Sequence, residues 1–422
     1  MNLVSPFSRR IFLQTLAGLA GTTLGSRSPA ATTTQGVPDA KGLRVGQCFN
    51  ESSSFRDPLT GRSVRRLTSG RRWNQQPTYH LNVCFSADSR YLALATVAEN
   101  GESALLRAEV ATGELVVLAT LPAASGEAFS GNNLSLIQAS GWVAANTGPG
   151  LRLYRIKDGR ERILIPPTGE RGFSGHPSGS IDGKKIFLPR RGRPIQDSGV
   201  ECRPVTHLEI DIATGRQREL LVEERAQCNH VVPHPVHPDL LLIDRDWPPN
   251  FGSGGDRGQT SRVWVLNIRT SRLKEVRPRD TNRFQIHSNW SHRGDYIYYH
   301  GVSQDHKLWT KGDNFVGVAD REGRVVWEQV IPRFHYGHLG VHTRRDAMLI
   351  DGLVSDNQLA LLHWQESDAA GLPRIEPLAQ HDSDWSKGQW SHPHPHMSPD
   401  GRWVSFNRGS DGRSDVCVVD LA

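Results

Sequence analysis

The chain has 422 residues, a formal net charge of +6, 37% hydrophobic residues, 41 Gly, 25 Pro and 11 Trp. That length can bury a large core, and so many turn formers exclude a protein of long helices. Lys and Arg are scattered without a basic stripe, which argues against nucleic acid and suits a small anionic partner.

In chain order, Ser8-Arg9-Arg10-Ile11-Phe12-Leu13 precedes the apolar run Leu16–Leu24 and the small residues Ser28-Pro29-Ala30-Ala31. This pattern predicts a twin-arginine export signal over residues 1–31, handled by the Tat export machinery, and a periplasmic or secreted mature protein. The run is too short and too rich in Gly and Thr to span a bilayer, so no stable membrane insertion is expected after cleavage. Arg9, Arg10 and Arg27 are the charged residues before Asp39, so cleavage leaves 6 − 3 = +3. Residues 32–50 read as a linker and residues 51–422 as one domain. Five cysteines (Cys48, Cys84, Cys202, Cys228 and Cys417) show no CxxC spacing, which disfavours a zinc–thiolate site.

Beyond the linker a simple grammar repeats. A Ser-x-Asp-Gly-like turn leads into an apolar strand, and a later strand ends in a Thr-Gly or Asp-Gly turn. Clear copies are Phe85–Leu94, Trp290–Tyr299 and Met397–Phe406; weaker ones are Ser180–Phe187 and His237–Ile243. Repeat openings near His80, Asn133, His176, His230, His287, His338 and His392 lie about 43 to 57 residues apart, the period of a β-propeller. The predicted fold is all-β, a seven-bladed β-propeller. Gly61–Thr68 is expected to add an outer strand to the last blade against Val416–Leu421, closing the ring and removing an open edge.

Residues at equivalent blade positions converge at one mouth of a propeller. Any one of these histidines is equally well explained as a cap on its inner strand, but six together predict a functional funnel. The densest stretch is Gln389-Trp390-Ser391-His392-Pro393-His394-Pro395-His396. In extended chain, His392 and His394 would share a face. With Gln389 and a histidine of Phe334–Leu339 from the preceding blade, they form a neutral set suited to a divalent cation, with positions open for an acid or water. His287 opens the blade before that. Arg262 either points inward to clamp a carboxylate or lies on an outer strand, and spacing does not choose.

These residues carry a resemblance. From Asp57-Pro58-Leu59-Thr60-Gly61 to Leu421 the chain resembles the oligogalacturonate lyase family of seven-bladed propeller polysaccharide lyases. The matching motifs are Gln389-x-x-His392-Pro393-His394-Pro395, Gly337-His338-Leu339, His287-x-x-Trp290, Ser261-Arg262-Val263-Trp264 and His381-Asp382-Ser383-Asp384-Trp385. The resemblance implies that His338, Gln389, His392 and His394 bind Mn2+ or another divalent cation, that His287 is the general base, and that Arg262 assists at the substrate. It further implies β-elimination on an acidic oligosaccharide, most directly oligogalacturonate. His396 has no matched ligand role. The chain departs from the family at Arg245-Asp246-Trp247-Pro248, where members carry His-Glu-Gly-Pro, and in the Gly-rich Pro249–Gln259. A lyase for a different uronate and a non-catalytic binding propeller are the alternatives. A serine hydrolase is disfavoured because no Gly-x-Ser-x-Gly elbow occurs.

Overall fold

The computed structural model describes residues 42–422 apart from 70–72, 149, 168–171, 174, 194, 198–199, 203, 224–226, 248–260, 278–282, 304–313, 332–336, 354–356 and 411. The expected export signal and the stretch Pro248–Gln259 lie outside the described residues.

Seven antiparallel sheets of four or five strands form the blades of a propeller, and a short hairpin of Ile195–Asp197 with Val200–Cys202 rises from the third. The innermost strands are Trp73–Gln76, Leu134–Ile137, Ser178–Gly179, Gln227–Pro233, Arg283–Trp290, Leu339–Val341 and His396–Met397. Several contact one another around the ring, the fifth against the sixth and the sixth against the seventh among them.

The repeated turns share one hydrogen-bonded unit. Ser86, Ser180 and Ser398 each donate Oγ–H to the aspartate two residues on (2.6, 2.6 and 2.5 Å). Each also accepts the N–H of the residue opening the next strand, at 2.9 Å in all three. Ser291 accepts the Tyr296 N–H in the same way at 3.1 Å. The turn is thus satisfied by its own side chains, which is why the motif recurs in the first, third, fifth and seventh blades.

Alternation along the strands sends neighbouring residues to opposite faces, and each face packs on a different blade. Leu92 and Leu94 meet Val416 and Val418 of the seventh blade, whereas Ala93 and Ala95 meet Leu134 and Leu136 of the second. Tyr298 faces Met348 and Ile350 of the sixth blade, and Tyr299 faces Leu242 and Val263 of the fourth. The core is therefore a ring of apolar layers between blades.

Closure occurs as expected. Ser63–Arg66 pairs with Arg413–Asp420, Val64 opposite Val419 and Arg66 opposite Cys417, and Ser53–Arg56 adds a fifth strand outside it. The linker expectation needs correcting at its end. Cys48–Asn50 pairs with Glu114–Leu121 as the outermost strand of the first blade, because Leu43 and Phe49 pack on the core beneath.

Candidate metal centre

Three irregularities aim side chains into the central channel. In the first blade the inner strand breaks after Gln76, and pairing resumes at Phe85 opposite Leu92. The intervening bow carries Tyr79 and His80 and is tied down by Tyr79 N–H to Gly131 O (2.9 Å) and Asn82 N–H to Tyr79 O (2.7 Å). In the fifth blade His287 is an extra residue, since Ile286 pairs with His300 and Ser288 with Tyr299. Its φ of 22° is unusual for a residue with a side chain, and such bulges re-aim side chains next to active sites.

In the seventh blade Gln389–Ser391 forms a turn of 3-10 helix, and the strand begins only at His396. The expectation that His392 and His394 alternate in extended chain is therefore corrected. Pro393 and Pro395 have no N–H for a sheet ladder, and His394 adopts φ 44°. Asn407 holds this bow in place. Its side-chain amide donates to His392 O (2.8 Å) and its backbone N–H to Pro393 O (2.8 Å).

The result is a cluster of buried imidazoles. His80, His176, His230, His287, His338, His392 and His394 are all buried. Six surround the Tyr79 ring or its neighbour: His176 and His230 stack on Tyr79 with ring centroids 4.1 and 5.2 Å away, His80 and His394 lie at 4.4 and 4.9 Å, and His338 and His287 at 5.8 and 6.4 Å. His392 lies 5.4 Å from His338. The blade-opening histidines do meet, around a tyrosine that sequence reasoning missed.

Among the described residues, two overlapping sets could hold a cation. His338, His392 and His394 each bring a ligand atom within 4.8 Å of the others, and so do His80, His287 and His338. Gln389 Oε1 accepts His394 Nε2–H at 2.9 Å. Asp351, absent from the sequence reading, supports the first set: it accepts the His338 backbone N–H (2.6 Å), His338 Nδ1–H (3.0 Å) and the His394 backbone N–H (3.3 Å). Burial alone would push its carboxyl up, but His338 and these hydrogen bonds hold it below the usual carboxylate range. A carboxylate on the far nitrogen of a histidine fixes tautomer and ring orientation at metal sites. Gly337 is required here, because a Cβ would lie 2.6 Å from the Gly352 backbone and 2.8 Å from Asp351 Oδ1.

A dication fits this donor set. His392 Nδ1 and His394 Nδ1 are buried with no hydrogen bond, a costly state for a polar atom unless something else binds it. Burial, and then the neighbouring His338 imidazole, hold His394 well below the ordinary histidine value and His392 at about 4. Both lone pairs are therefore available at neutral pH.

His287 donates Nδ1–H to Gly337 O (2.9 Å), with His300 Nε2 at 3.0 Å, and its Nε2 accepts the Tyr79 hydroxyl at 3.2 Å. Burial, then the neighbouring His338 and His80 imidazoles, which oppose a further positive charge, hold it far below the ordinary value, so it is a neutral base. Arg262 is buried and pairs through Nε with Asp244, whose other oxygen accepts Ser288 Oγ–H (3.0 Å). An outer-strand surface position is excluded, and its charge reaches His287 and His300. Asp244 and Asp351 share a signal that sequence could have offered: each ends an apolar strand run, where a lone carboxylate is rarely buried without a partner. His396 donates to Thr78 O (2.8 Å), which steadies the bow carrying Tyr79 and agrees with leaving it out of the ligand set.

No protein-family model matches the chain. It is 20% identical over 233 residues to the oligogalacturonide lyase of Pectobacterium atrosepticum, 51% of this chain and 55% of that one, so it matches about half the length of this curated relative. Among solved structures, an oligogalacturonate lyase in complex with manganese superposes with a TM-score of 0.72 at 18% identity, over 90% of this chain and 99% of that one. An oligogalacturonate lyase from Vibrio parahaemolyticus gives 0.72 at 16% identity with the same coverage. Hydrazine synthase of Kuenenia stuttgartiensis, at 0.54 and 11% identity over 82% of this chain and 96% of that one, shows how widely the scaffold is reused. The resemblance to the oligogalacturonate lyases that the motifs carry is therefore met in sequence by a curated lyase and in fold by two solved ones.

Proposed function

We propose that the chain is an exported, divalent-cation-dependent lyase that cleaves short uronate oligosaccharides, oligogalacturonate first among them, by β-elimination. The observation that carries this reading is the convergence of Gln389, His392, His394 and His338 beside the neutral base His287, with two buried ring nitrogens left without hydrogen bonds. The similarity to lyases, one of them described as a manganese complex, supports the same reading. The Ser8–Leu13 signal supports work in the periplasm or outside the cell, after passage through the Tat machinery.

The chemistry asks for three things. The proton on C5 lies α to a carboxylate and is scarcely acidic while that group keeps its charge. A dication on His338, Gln389, His392 and His394 would supply the charge that neutralises the acid and stabilises an enolate-like state. His287 takes the C5 proton on Nε2, where the substrate replaces the Tyr79 hydroxyl, while the bond to Gly337 O keeps Nδ1–H in place. Arg262, steadied by Asp244 and Ser288, places a fixed positive charge beside the anionic substrate. The C4–O4 bond then breaks as the C4–C5 double bond forms, the leaving O4 takes a proton from water, and a 4,5-unsaturated uronate remains.

The test is the ultraviolet absorbance of that product on a panel of uronate oligomers, with manganese-loaded protein. His287→Ala is expected to lower turnover about 10²- to 10⁴-fold while manganese affinity stays within about threefold. Equal turnover by this variant would remove His287 from the role of base.

A further inference from the structure

We propose a second cation position in the same channel, formed by His80, His287 and His338, that takes a borderline dication such as zinc and excludes manganese from the first. The three residues come from the first, fifth and sixth blades, are all buried, and bring ring nitrogens within 4.8 Å of one another. Each has its Nδ1–H anchored: His80 on Leu339 O (2.9 Å), His287 on Gly337 O (2.9 Å) and His338 on Asp351 (3.0 Å). The same ring edge, Nε2, is thereby presented by all three. Anchoring of this kind is what metal-binding histidines need from their surroundings.

The strongest pointer is His80. Its Nε2 is buried with no hydrogen bond, although its ring lies 4.9 Å from His287 and 4.8 Å from His338. A bound cation would satisfy that atom, with the Tyr79 hydroxyl giving way at His287. Zinc–nitrogen bonds of about 2.1 Å in a tetrahedral site place ligand nitrogens about 3.4 Å apart, which modest ring movements achieve.

Chemistry separates the two positions. Three imidazoles and no oxygen ligand favour zinc, nickel or copper, whereas the set containing Gln389 Oε1 suits a harder ion such as manganese. His338 belongs to both sets and has Nδ1 committed to Asp351, so it serves one ion at a time. Zinc in the second position would also occupy His287. Resting on the proposed function, this makes the position an inhibitory one, where excess zinc removes base and ligand together.

The binding test does not depend on that function. Zinc and manganese are titrated calorimetrically into the metal-free mature protein, wild type, His80→Asn and Gln389→Ala. Asn keeps a donor for Leu339 O and deletes Nε2, and His80→Ala repeats the test if His80→Asn folds poorly. The expected result is a zinc Kd raised about 100-fold or more by the His80 variants and by less than about threefold in Gln389→Ala, with the reverse order for manganese. Zinc affinity lost in Gln389→Ala and kept in the His80 variants would overturn the proposal, as would zinc and manganese bound together on one chain. Absence of lyase activity with manganese would remove the function proposed above and leave the zinc result to stand or fall by itself.

Discussion

Asp351→Asn is the most informative single change at the centre. The variant keeps the shape of the side chain, but only one of its two terminal atoms can still accept a hydrogen bond. The native carboxylate accepts three N–H groups, two from His338 and one from His394, and is almost wholly buried. At least one donor then faces an amide N–H, and the orientation of His338 is no longer fixed. Loss of a buried charge-assisted bond costs about 1.5–3 kcal/mol. Second-sphere changes of this type lower metal affinity about 10- to 100-fold, which is about 1.4–2.8 kcal/mol, so the two routes agree. Manganese titration of the metal-free protein should show that rise in Kd, and urea unfolding of the same sample should show a comparable loss of stability. Manganese binding within about threefold of wild type would refute the claim that Asp351 sets the site.

Three further outcomes follow from the geometry. Burial holds His381, His392 and His396 at about 4 and His80, His287 and His394 well below the ordinary value, so the unfolded chain binds more protons than the folded one below about pH 6.5. Stability is therefore full above that pH and falls from about 6.5 towards 4, with manganese affinity falling in the same window; a flat urea midpoint from pH 7 to 5 would contradict this. Asn407→Ala frees the His392 carbonyl and should cost about 1–3 kcal/mol by urea unfolding, along with about tenfold in manganese affinity. Val64→Asp puts a carboxylate into the closed layer between the sixth and seventh blades and should cost about 4 kcal/mol or more, read as a lower thermal midpoint.

The fold was legible because alternate blades, the first, third, fifth and seventh, carry the same local chemistry. Ser86, Ser180, Ser291 and Ser398 close their turns with the same bonds, so the period visible in the residues is the period of the sheets. Closure by Val64 could be read for the same reason, since an unpaired edge next to Val416–Leu421 needs a partner. The strand Cys48–Asn50 escaped notice because three residues beside a small polar stretch carry no alternation. At the site, the blade-opening histidines were legible as equivalent positions. Tyr79 was not, because it sits on a break in its strand, where periodicity gives no information. Asp351 was also missed, since its role depends on a contact with His394, 43 residues away.

The central claim is elimination, and product chemistry tests it most directly. Manganese-loaded protein incubated with uronate oligomers should yield fragments one water lighter than hydrolysis products, with the absorbance of a 4,5-unsaturated end, and chelation of the metal should abolish both. Saturated fragments, or no cleavage across the panel, would contradict the account.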